Sequence, residues 1–303
     1  EIVVEKSGSL NLGVEGIMAV GAIFGYIVGC YTNSMLVGIL TAFGMGALMG
    51  LLFAALTVSL QANQNITGLT LTTFGLGVYF FVGNAIKAVR WPAMSDYSSI
   101  KNGFADLPIP FLSDLPVIGK GLFSHNALVY LGIVIALCMW YYLNRTTPGL
   151  RLRAVGENPG SADSVGINIK RYKYLHIMLG CGIMGIGGYY MGLNMSGSFN
   201  SACWINGYGW IAVALVIFAN WNPTMAILGT FVFGFFNTLR VSGSSLAVAF
   251  PETLGWLAAV PTQLYQALPF IITAIVLVAS SIRKKEGSGL PAALGLNYFR
   301  EER

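Results

Sequence analysis

Residues 153–167 read RAVGENPGSADSVGI and lie between two long apolar stretches. Asn158 favours the N-cap position of a helix, and Pro159 suits the first helical position, where its missing N–H costs nothing. Gly166 suits the left-handed residue that follows a helix C-terminus. The stretch therefore predicts a helix of about two turns inside a polar loop. Because so short a helix is marginal in water, we expect it to dock against its own chain or against another protein.

The composition around this loop is typical of a membrane protein. Of the 303 residues, 55% are hydrophobic and 10% are charged, and the mean hydropathy is +0.68. Soluble domains carry about 25% charged residues. The formal net charge of +5 lies in short clusters beside apolar runs, which is typical of loops that orient membrane spans and does not indicate nucleic-acid binding. The sequence begins EIVVEKSGSLN without Met, and we expect a further helix before it.

A membrane span requires about 20 mostly apolar residues. The chain contains candidate stretches at 14–31, 34–60, 66–86, 126–143, 174–194, 205–220, 223–240 and 263–281. Loops rich in Lys and Arg stay in the cytoplasm, so the basic loop 144–173 and the basic tail 282–303 are predicted to be cytoplasmic. Counting spans then places 87–125 on the outer side. The predicted fold is an all-α, polytopic transmembrane helix bundle in a single domain, 1–303.

Three connections have distinctive sequences. The short spans 205–220 and 223–240 are joined by NWNP, which predicts a tight hairpin. The proline-rich segment 87–125 predicts an ordered loop with short interfacial pieces. The apolar segment 241–262 predicts a re-entrant or surface-lying turn. The two outer segments, 87–125 and 241–262, either contact a partner or lie on the membrane surface.

Motifs for several kinds of chemistry are missing from the sequence. It contains no GxxxxGK[ST], HExxH or GxSxG motif, and His125 and His176 stand alone. Between residues 174 and 281, the full charges are Arg240 and Glu252. Transporters coupled to protons or ions usually need buried ionisable groups, so this scarcity argues against such a mechanism without excluding it. The sequence predicts that the chain is not an enzyme and holds no metal.

Polar side chains within the spans form two groups. In QANQNITGLTLTT (61–73), Thr67, Thr70 and Thr73 share roughly one helical face, and their hydroxyls either line a solute path or bond to helix carbonyls. In LNLGVEG (10–16), Asn11 can cap a helix whose dipole favours the nearby Glu15; the alternative is a discontinuous helix start that faces a central cavity. The predicted translocation path consists of Asn11, Glu15, Asn65, Thr67, Thr70, Thr73 and Asn84.

Three stretches together resemble one family. They are SGSLNLGVEGIMAVGA (7–22), GLRLRAVGENPGSADSVGINIKRYKYLHIMLGCGIMGIGGYY (149–190) and GYGWIAVALVIFANWNPTMAILGTFVFGFFNTL (207–239). They are similar to the permease subunits of ABC importers in the ribose/branched-chain amino-acid permease superfamily, of the nucleoside or simple-sugar type. The resemblance covers nearly the whole chain.

The resemblance implies a machine of several chains in a bacterial cytoplasmic membrane. Its parts would be a second, different permease, an ABC ATPase that binds ATP and Mg, and an extracytoplasmic solute-binding lipoprotein. No cofactor is expected in this chain, which would contact membrane lipid and a small-molecule solute. A nucleoside is the first expectation. The same machinery for a simple sugar or another small polar solute, and a stand-alone secondary transporter or channel, remain alternatives.

The resemblance also identifies the short helix of the opening stretch as a coupling helix that sits in a groove of the ATPase. The residues implied in coupling are Arg153, Gly156, Glu157, Asn158, Pro159, Gly160, Ser161, Asp163, Ser164 and Gly166. Replacing Glu157 or Asp163 with Lys is expected to reduce uptake while leaving the permease folded. Which of these side chains face the groove and which hold the helix in shape is left open by the sequence.

Overall fold

The computed structural model describes residues 1–89, 106–108, 110, 124–195, 203–249, 251–254, 256, 259–282 and 289–299. Its helices are α1 (Ile2–Lys6), α2 (Val14–Thr32), α3 (Met35–Ala54, continued by a π-helical turn, Ala55–Ser59), α4 (Gln64–Val89), α5 (Ala127–Arg145), α6 (Thr147–Glu157), α7 (Pro159–Ser164), α8 (Ile169–Met195), α9 (Tyr208–Phe218), α10 (Pro223–Ala249), α11 (Pro251–Leu254) and α12 (Thr262–Ile282). Two short antiparallel strands, β1 (Asp106–Pro108) and β2 (Ser124–Asn126), pair Asp106 with Asn126.

Among the residues that the structure describes, four helices are long and apolar enough to cross a membrane: Val14–Thr32, Met35–Ser59, Gln64–Ala88 and Ala127–Arg145. They correspond to the first four predicted spans. Helix α8 covers the fifth span, and α9, α10 and α12 cover the others. The predicted class, a polytopic helical membrane bundle, is thereby confirmed.

The chain divides into two compact units. The first comprises Glu1, Val3–Gly209 and Pro291–Arg303, and the second comprises Ile2 and Trp210–Leu290. The predicted cytoplasmic loop 144–173 belongs to the first unit, and so does the predicted cytoplasmic tail from Pro291 onward.

Helix α2 forms the centre of the first unit, where it packs against α3, α4 and α8. Glycines make the close approach possible. A Cβ added at Gly16 would lie 2.6 Å from the Cα of Thr72 in α4, and one at Gly21 would collide with the backbone of Gly185 in α8. Because lipid gives apolar side chains little reason to associate, such small residues are the main route to tight packing between membrane helices.

Two boundaries differ from the prediction. The loop 144–173 contains a helix that was not predicted, α6, which Thr146 caps by accepting a 3.2 Å hydrogen bond from the Gly149 amide. The basic residues of this stretch were interpreted as charges in a loop that orients the membrane spans. Basic residues can equally well belong to a helix. Helix α10 continues to Ala249, so the predicted turn from residue 241 is wrong for its first nine residues, whose apolar sequence extends the helix.

The second unit contains the predicted tight hairpin. Asn220 and Trp221 take left-handed backbone angles, with φ of 50° and 55°, and turn the chain between α9 and α10. The rings of Phe218 and Phe233 then meet edge to face, with centroids 5.8 Å apart. Further along, α10 packs against α12 around the buried side chains of Ala247 and Tyr265. Most of the predicted outer segment 87–125 lies outside the described residues.

Candidate coupling surface and translocation path

Helix α7 has defined ends at both sides. The Asn158 side-chain carbonyl accepts a 2.9 Å hydrogen bond from the Ser161 amide, and Pro159 occupies the first turn. Gly166 has φ of +83°, and its amide donates to the Asp163 carbonyl at 3.0 Å. The start and stop that the sequence predicted for this helix are those observed.

An apolar cluster holds α7 against its own chain. Ala162 is 3% exposed and packs with Val155 of α6 and Ile169 of α8. Ile167, Tyr172 and Tyr298 cover this cluster. Docking of this kind compensates for the marginal stability of a helix that has only six residues.

Residues 291–299, which we term the C-terminal strap, run across α6 and α7. The Ala293 amide donates to the Gly156 carbonyl at 3.0 Å, and the Ala292 amide donates to the Glu157 carboxylate at 3.1 Å. The Tyr298 hydroxyl donates to the Asp163 carboxylate at 2.9 Å. The strap therefore fixes both acidic residues of the predicted coupling region.

Several predicted coupling residues consequently face their own chain. Gly156 is buried, and a Cβ there would collide with the Lys6 carbonyl. Arg153 is half-buried, and its buried Nε has no hydrogen-bond partner among the residues that the structure describes. Burial lowers the pKa of Lys6, an effect that the nearby Glu157 carboxylate opposes and Arg153 reinforces. These residues pack against their own chain and do not belong to the exposed surface of α7.

A different set of residues forms the free surface of α7. Ser161, Ser164 and Gly166 are exposed, Pro159 and Gly160 are half-exposed, and the exposed Asn158 uses its side chain as the helix cap. Val165 is 75% exposed, although it was absent from the predicted set. The sequence did indicate Val165 in one respect, since it is an apolar residue at the C-terminus of a polar helix.

A basic cavity of about 650 Å³ adjoins this surface. It is lined by Arg151 and Arg171 together with Val165, Gly166 and Ile167. Both arginines are exposed. The free edge of α7 is thus flanked by positive charge, which fits an acidic partner surface.

The start of α2 differs from the prediction for Asn11. Gly13, not Asn11, is the N-cap of α2, and the buried Asn11 side chain instead accepts a 2.9 Å hydrogen bond from the Gly13 amide. A helix cap receives its bond from the second or third helical amide, whereas here Asn11 folds the segment that leads into the helix. Since α1 ends at Lys6, the chain approaches α2 through a non-helical segment, 7–13.

Glu15 lies in the first turn of α2 and is 7% exposed. Its Oε1 accepts a 2.7 Å hydrogen bond from the Gly207 amide, and its Oε2 has no hydrogen-bond partner within the described ranges. A Cβ at Gly209 would lie 2.5 Å from the Glu15 Cα, so the start of α9 lies directly against that of α2. Two helix starts therefore meet at this carboxylate, and the alternative of a discontinuous helix start that faces a central cavity stays a prediction.

The threonines of the predicted path bond to their own helix. The hydroxyls of Thr67, Thr70 and Thr73 donate to the carbonyls four residues earlier, at 2.8, 2.8 and 3.2 Å. Bonding to helix carbonyls is the predicted alternative to lining a solute path. Hydroxyls that are bonded in this way can face either lipid or a cavity. Asn65 and Asn84 are exposed, as are Thr70 and Thr73, whereas Thr67 is buried. Their role in a solute path stays a prediction.

Thr72, which was not among the predicted path residues, joins the two polar groups. It is buried, and its hydroxyl donates to the Leu12 carbonyl at 2.9 Å. The neighbouring helical face of α4 thus packs on the segment that leads into α2. Over the described part of the chain, no cluster of three His, Cys, Asp or Glu residues is placed to hold a metal.

Comparison with known proteins agrees with this architecture. Residues 1–277 match the family described as "Branched-chain amino acid transport system / permease component". The chain is 34% identical to the putative glucose ABC transporter permease protein TsgC13 of Haloferax volcanii, over 99% of this chain and 92% of the relative. It is 35% identical to the nucleoside ABC transporter permease protein NupC of Lactococcus lactis, over 98% and 90%.

A third relative is similar over its length as well. The guanosine ABC transporter permease protein NupQ of Bacillus subtilis is 31% identical over 99% of this chain and 90% of the relative. No solved structure matches the chain. The full-length matches, the bundle of membrane helices and the docked helix between α6 and α8 agree: the chain is a multi-pass membrane protein that belongs to the branched-chain amino acid transport system permease component family.

Proposed function

We propose that this chain is the permease subunit of an ATP-driven importer that moves nucleosides across the bacterial cytoplasmic membrane by alternating access. The observation that carries the proposal is α7, a six-residue helix capped at both ends, tied to its own chain on one face and exposed at Ser161, Ser164 and Val165 on the other. A connector between spans has no need of such a surface, whereas a helix that receives force from another chain does.

The partner for this surface is an ABC ATPase, which would hold ATP and Mg. Arg151 and Arg171 beside α7 favour an acidic rim on that partner. ATP binding would bring two ATPase subunits together and push on α7. The apolar cluster around Ala162 and the strap would pass the displacement to the membrane helices, and hydrolysis would reset them.

A second, different permease would complete the pathway. Helix α4 carries Asn84, an exposed amide with no hydrogen bond to any described residue, within a largely apolar span. A polar group is costly against lipid, so this face of α4 is better placed against a cavity or a partner helix. The exposed Thr70 and Thr73 lie on the same helix.

A nucleoside is the solute that the relatives favour, since NupC and NupQ are named for nucleoside and guanosine transport. A simple sugar is the second candidate, because TsgC13 is named as a putative glucose permease. Its identity to this chain is 34%, close to the 35% of NupC. Delivery by an extracytoplasmic solute-binding lipoprotein would set the choice between them.

Reconstitution tests the proposal. The chain, the second permease and the ATPase are placed in proteoliposomes with the lipoprotein outside and ATP inside, and uptake of labelled nucleoside and of labelled glucose is followed. We expect nucleoside uptake that needs ATP and all four proteins. Uptake by this chain alone would overturn the importer proposal. Binding of glucose but no nucleoside by the lipoprotein would overturn the nucleoside assignment and leave the importer in place.

A further inference from the structure

A second cavity, of about 890 Å³, also borders the α7–α8 connection. The end of the π-helical turn, the start of α8 and the C-terminal strap enclose it. Its polar lining includes Ser59, Gln61, Lys170, Lys173 and Asn297. The volume falls in the range of pockets that bind small molecules, about 300–1,000 Å³. The lining shares Asp163 and Tyr298 with the proposed coupling region, but the coupling mechanism assigns no ligand to the cavity.

Lys173 is the unusual member of this lining. Its side chain is 5% exposed, yet it has no hydrogen bond or ion pair with any residue that the structure describes. Lys residues are almost never fully buried unless they are paired. The acid on the same lining, Asp163, is bound by the Tyr298 hydroxyl. A largely buried Lys side chain without a counter-charge among the described residues, at the wall of a roomy cavity, indicates an anionic ligand.

Gln61 joins the wall of the cavity to the C-terminal strap. Its Nε2 donates to the Tyr298 carbonyl at 3.2 Å. Its Oε1 is fully enclosed and so does not face the cavity. The cavity therefore offers a cation for an anionic group, and a phosphate meets this requirement.

The surroundings of the cavity are apolar on one side. Leu60 is 73% exposed and Phe299 is 45% exposed, and both line the cavity. The candidate membrane span Met35–Ser59 ends at its wall, so the cavity lies where a span meets the membrane surface. Exposed apolar side chains beside a buried cation at this level match a phospholipid, whose phosphate and acyl chains are adjacent. Basic pockets between membrane helices bind lipid head groups in this way.

We propose that this cavity binds the head group of an anionic phospholipid, such as phosphatidylglycerol, with its phosphate on Lys173. Lys170, exposed at the rim, adds positive charge. The lipid would bridge the end of α3, the start of α8 and the C-terminal strap. Free phosphate or glycerol phosphate has the same chemistry, and the experiment separates these sources.

Native mass spectrometry of the purified full chain measures lipid retention. The chain is titrated with phosphatidylglycerol and with phosphatidylcholine, and Lys173→Met is compared with Arg145→Met, which removes an exposed charge outside the cavity. We expect phosphatidylglycerol to be favoured in the wild type and in Arg145→Met, and retention to fall about tenfold in Lys173→Met, as for loss of a charged hydrogen bond. Equal retention in Lys173→Met and wild type would overturn the proposal.

Two further arms separate the remaining outcomes. A thermal shift with inorganic phosphate or glycerol phosphate alone, abolished by Lys173→Met, would overturn the lipid source in favour of a free anion; no such shift supports the lipid. A photoactivatable phosphatidylglycerol is also applied to the wild-type chain, so the test stands even if Lys173→Met does not fold. Labelling of peptides that contain Gln61 or Tyr298 supports the site, and labelling confined to other peptides contradicts it.

Discussion

The Tyr298 hydroxyl donates a 2.9 Å hydrogen bond to the Asp163 carboxylate, so that one of the last described residues of the chain holds the helix proposed to meet the ATPase. The strap that carries Tyr298 also binds the polypeptide near the first two membrane helices. The Gly295 amide donates to the Gly8 carbonyl at 3.3 Å, and the Asn297 side chain donates to the Gln61 carbonyl at 2.6 Å. A displacement of α7 can therefore reach two other segments of the first unit through a single short stretch.

Removing the Tyr298 hydroxyl is expected to weaken this connection. Tyr298→Phe keeps the ring on the apolar cluster and deletes the bond to Asp163, at a cost of about 1.5–3 kcal/mol for a hydrogen bond to a charged group, reduced by the partial exposure of the pair. We expect slower ATP-dependent uptake with unchanged assembly of the complex. Initial rates in proteoliposomes provide the measurement.

A double-mutant cycle identifies the cause of this effect. Asp163→Ala, which removes the acceptor, should slow uptake at least as much as Tyr298→Phe does, and the double variant should be no worse than Asp163→Ala alone, because both changes remove the same hydrogen bond. Tyr141→Phe, at an exposed tyrosine of α5, serves as the matched control and should be neutral. Additive losses in the double variant would mean that the two residues act separately.

The end of α7 gives a prediction about backbone conformation. Gly166 has φ of +83°, and a Cβ there would meet no atom within 4 Å. The cost of a substitution is therefore conformational, about 1–2 kcal/mol for a residue that avoids the left-handed region. Gly166→Val should impair uptake more than Gly166→Asn, since Asn tolerates this conformation. Equal effects of the two variants would show that the left-handed conformation is unimportant.

The sequence predicted α7 well because its ends depend on local chemistry. Asn158, Pro159 and Gly166 act through their own backbone and nearest neighbours, and these effects are readable without a fold. The partners of Glu157 and Asp163 were not predictable, because the strap that binds them follows more than 120 residues later. Asn11 shows the same limit. Its helix-cap chemistry was recognised, but its contact with Gly13 rather than a helical amide depends on how segment 7–13 packs against α4.

Two glycines of α4 provide a matched test of the packing around α2. A Cβ at Gly75 would lie 2.6 Å from the Cα of Gly16, whereas one at Gly77 would meet nothing within 4 Å. Gly75→Ala should destabilise the permease by about 1–3 kcal/mol, as expected for overpacking. Gly77→Ala should be neutral or stabilising, because Ala is the better helix former by about 1 kcal/mol.

The melting temperature of the detergent-purified chain compares the two variants. Expression and detergent are kept the same, so that the single difference is the position of the added methyl group. A lower melting temperature for Gly77→Ala than for Gly75→Ala would contradict the packing of α4 on α2. The sequence identified small residues as packing sites, but it could not distinguish these two positions, since that depends on which face of α4 meets α2.

The proposed lipid site predicts a pH dependence. Burial lowers the pKa of Lys173, which precedes the predicted span 174–194, to about 8. The other titratable groups on the cavity lining are Asp163, Lys170 and Tyr298. Below pH 8 the ammonium is charged and holds an anion. As the pH rises through about 8, binding must take up a proton, so the affinity falls by up to tenfold per pH unit.

Lipid retention measured between pH 6.5 and 9.5, a range of about 1.5 units on either side of this pKa, tests the prediction. Retention of phosphatidylglycerol should decline above pH 8, while retention of phosphatidylcholine should stay level. Lys173→Arg should abolish the decline, because Arg keeps its charge throughout this range. A decline that persists in Lys173→Arg would assign the titration to another group.

The proposal that α7 meets the ATPase can be tested at one position. A photo-crosslinking amino acid replaces Ser161, on the exposed edge of α7, and in a control it replaces Leu36, which is 71% exposed at the opposite end of α3 from the π-helical turn. Irradiation of an assembly that transports solute should join position 161 to the ATPase and leave position 36 unlinked to it. An assembly that transports normally, yet gives no ATPase product from position 161, would contradict the coupling role of α7.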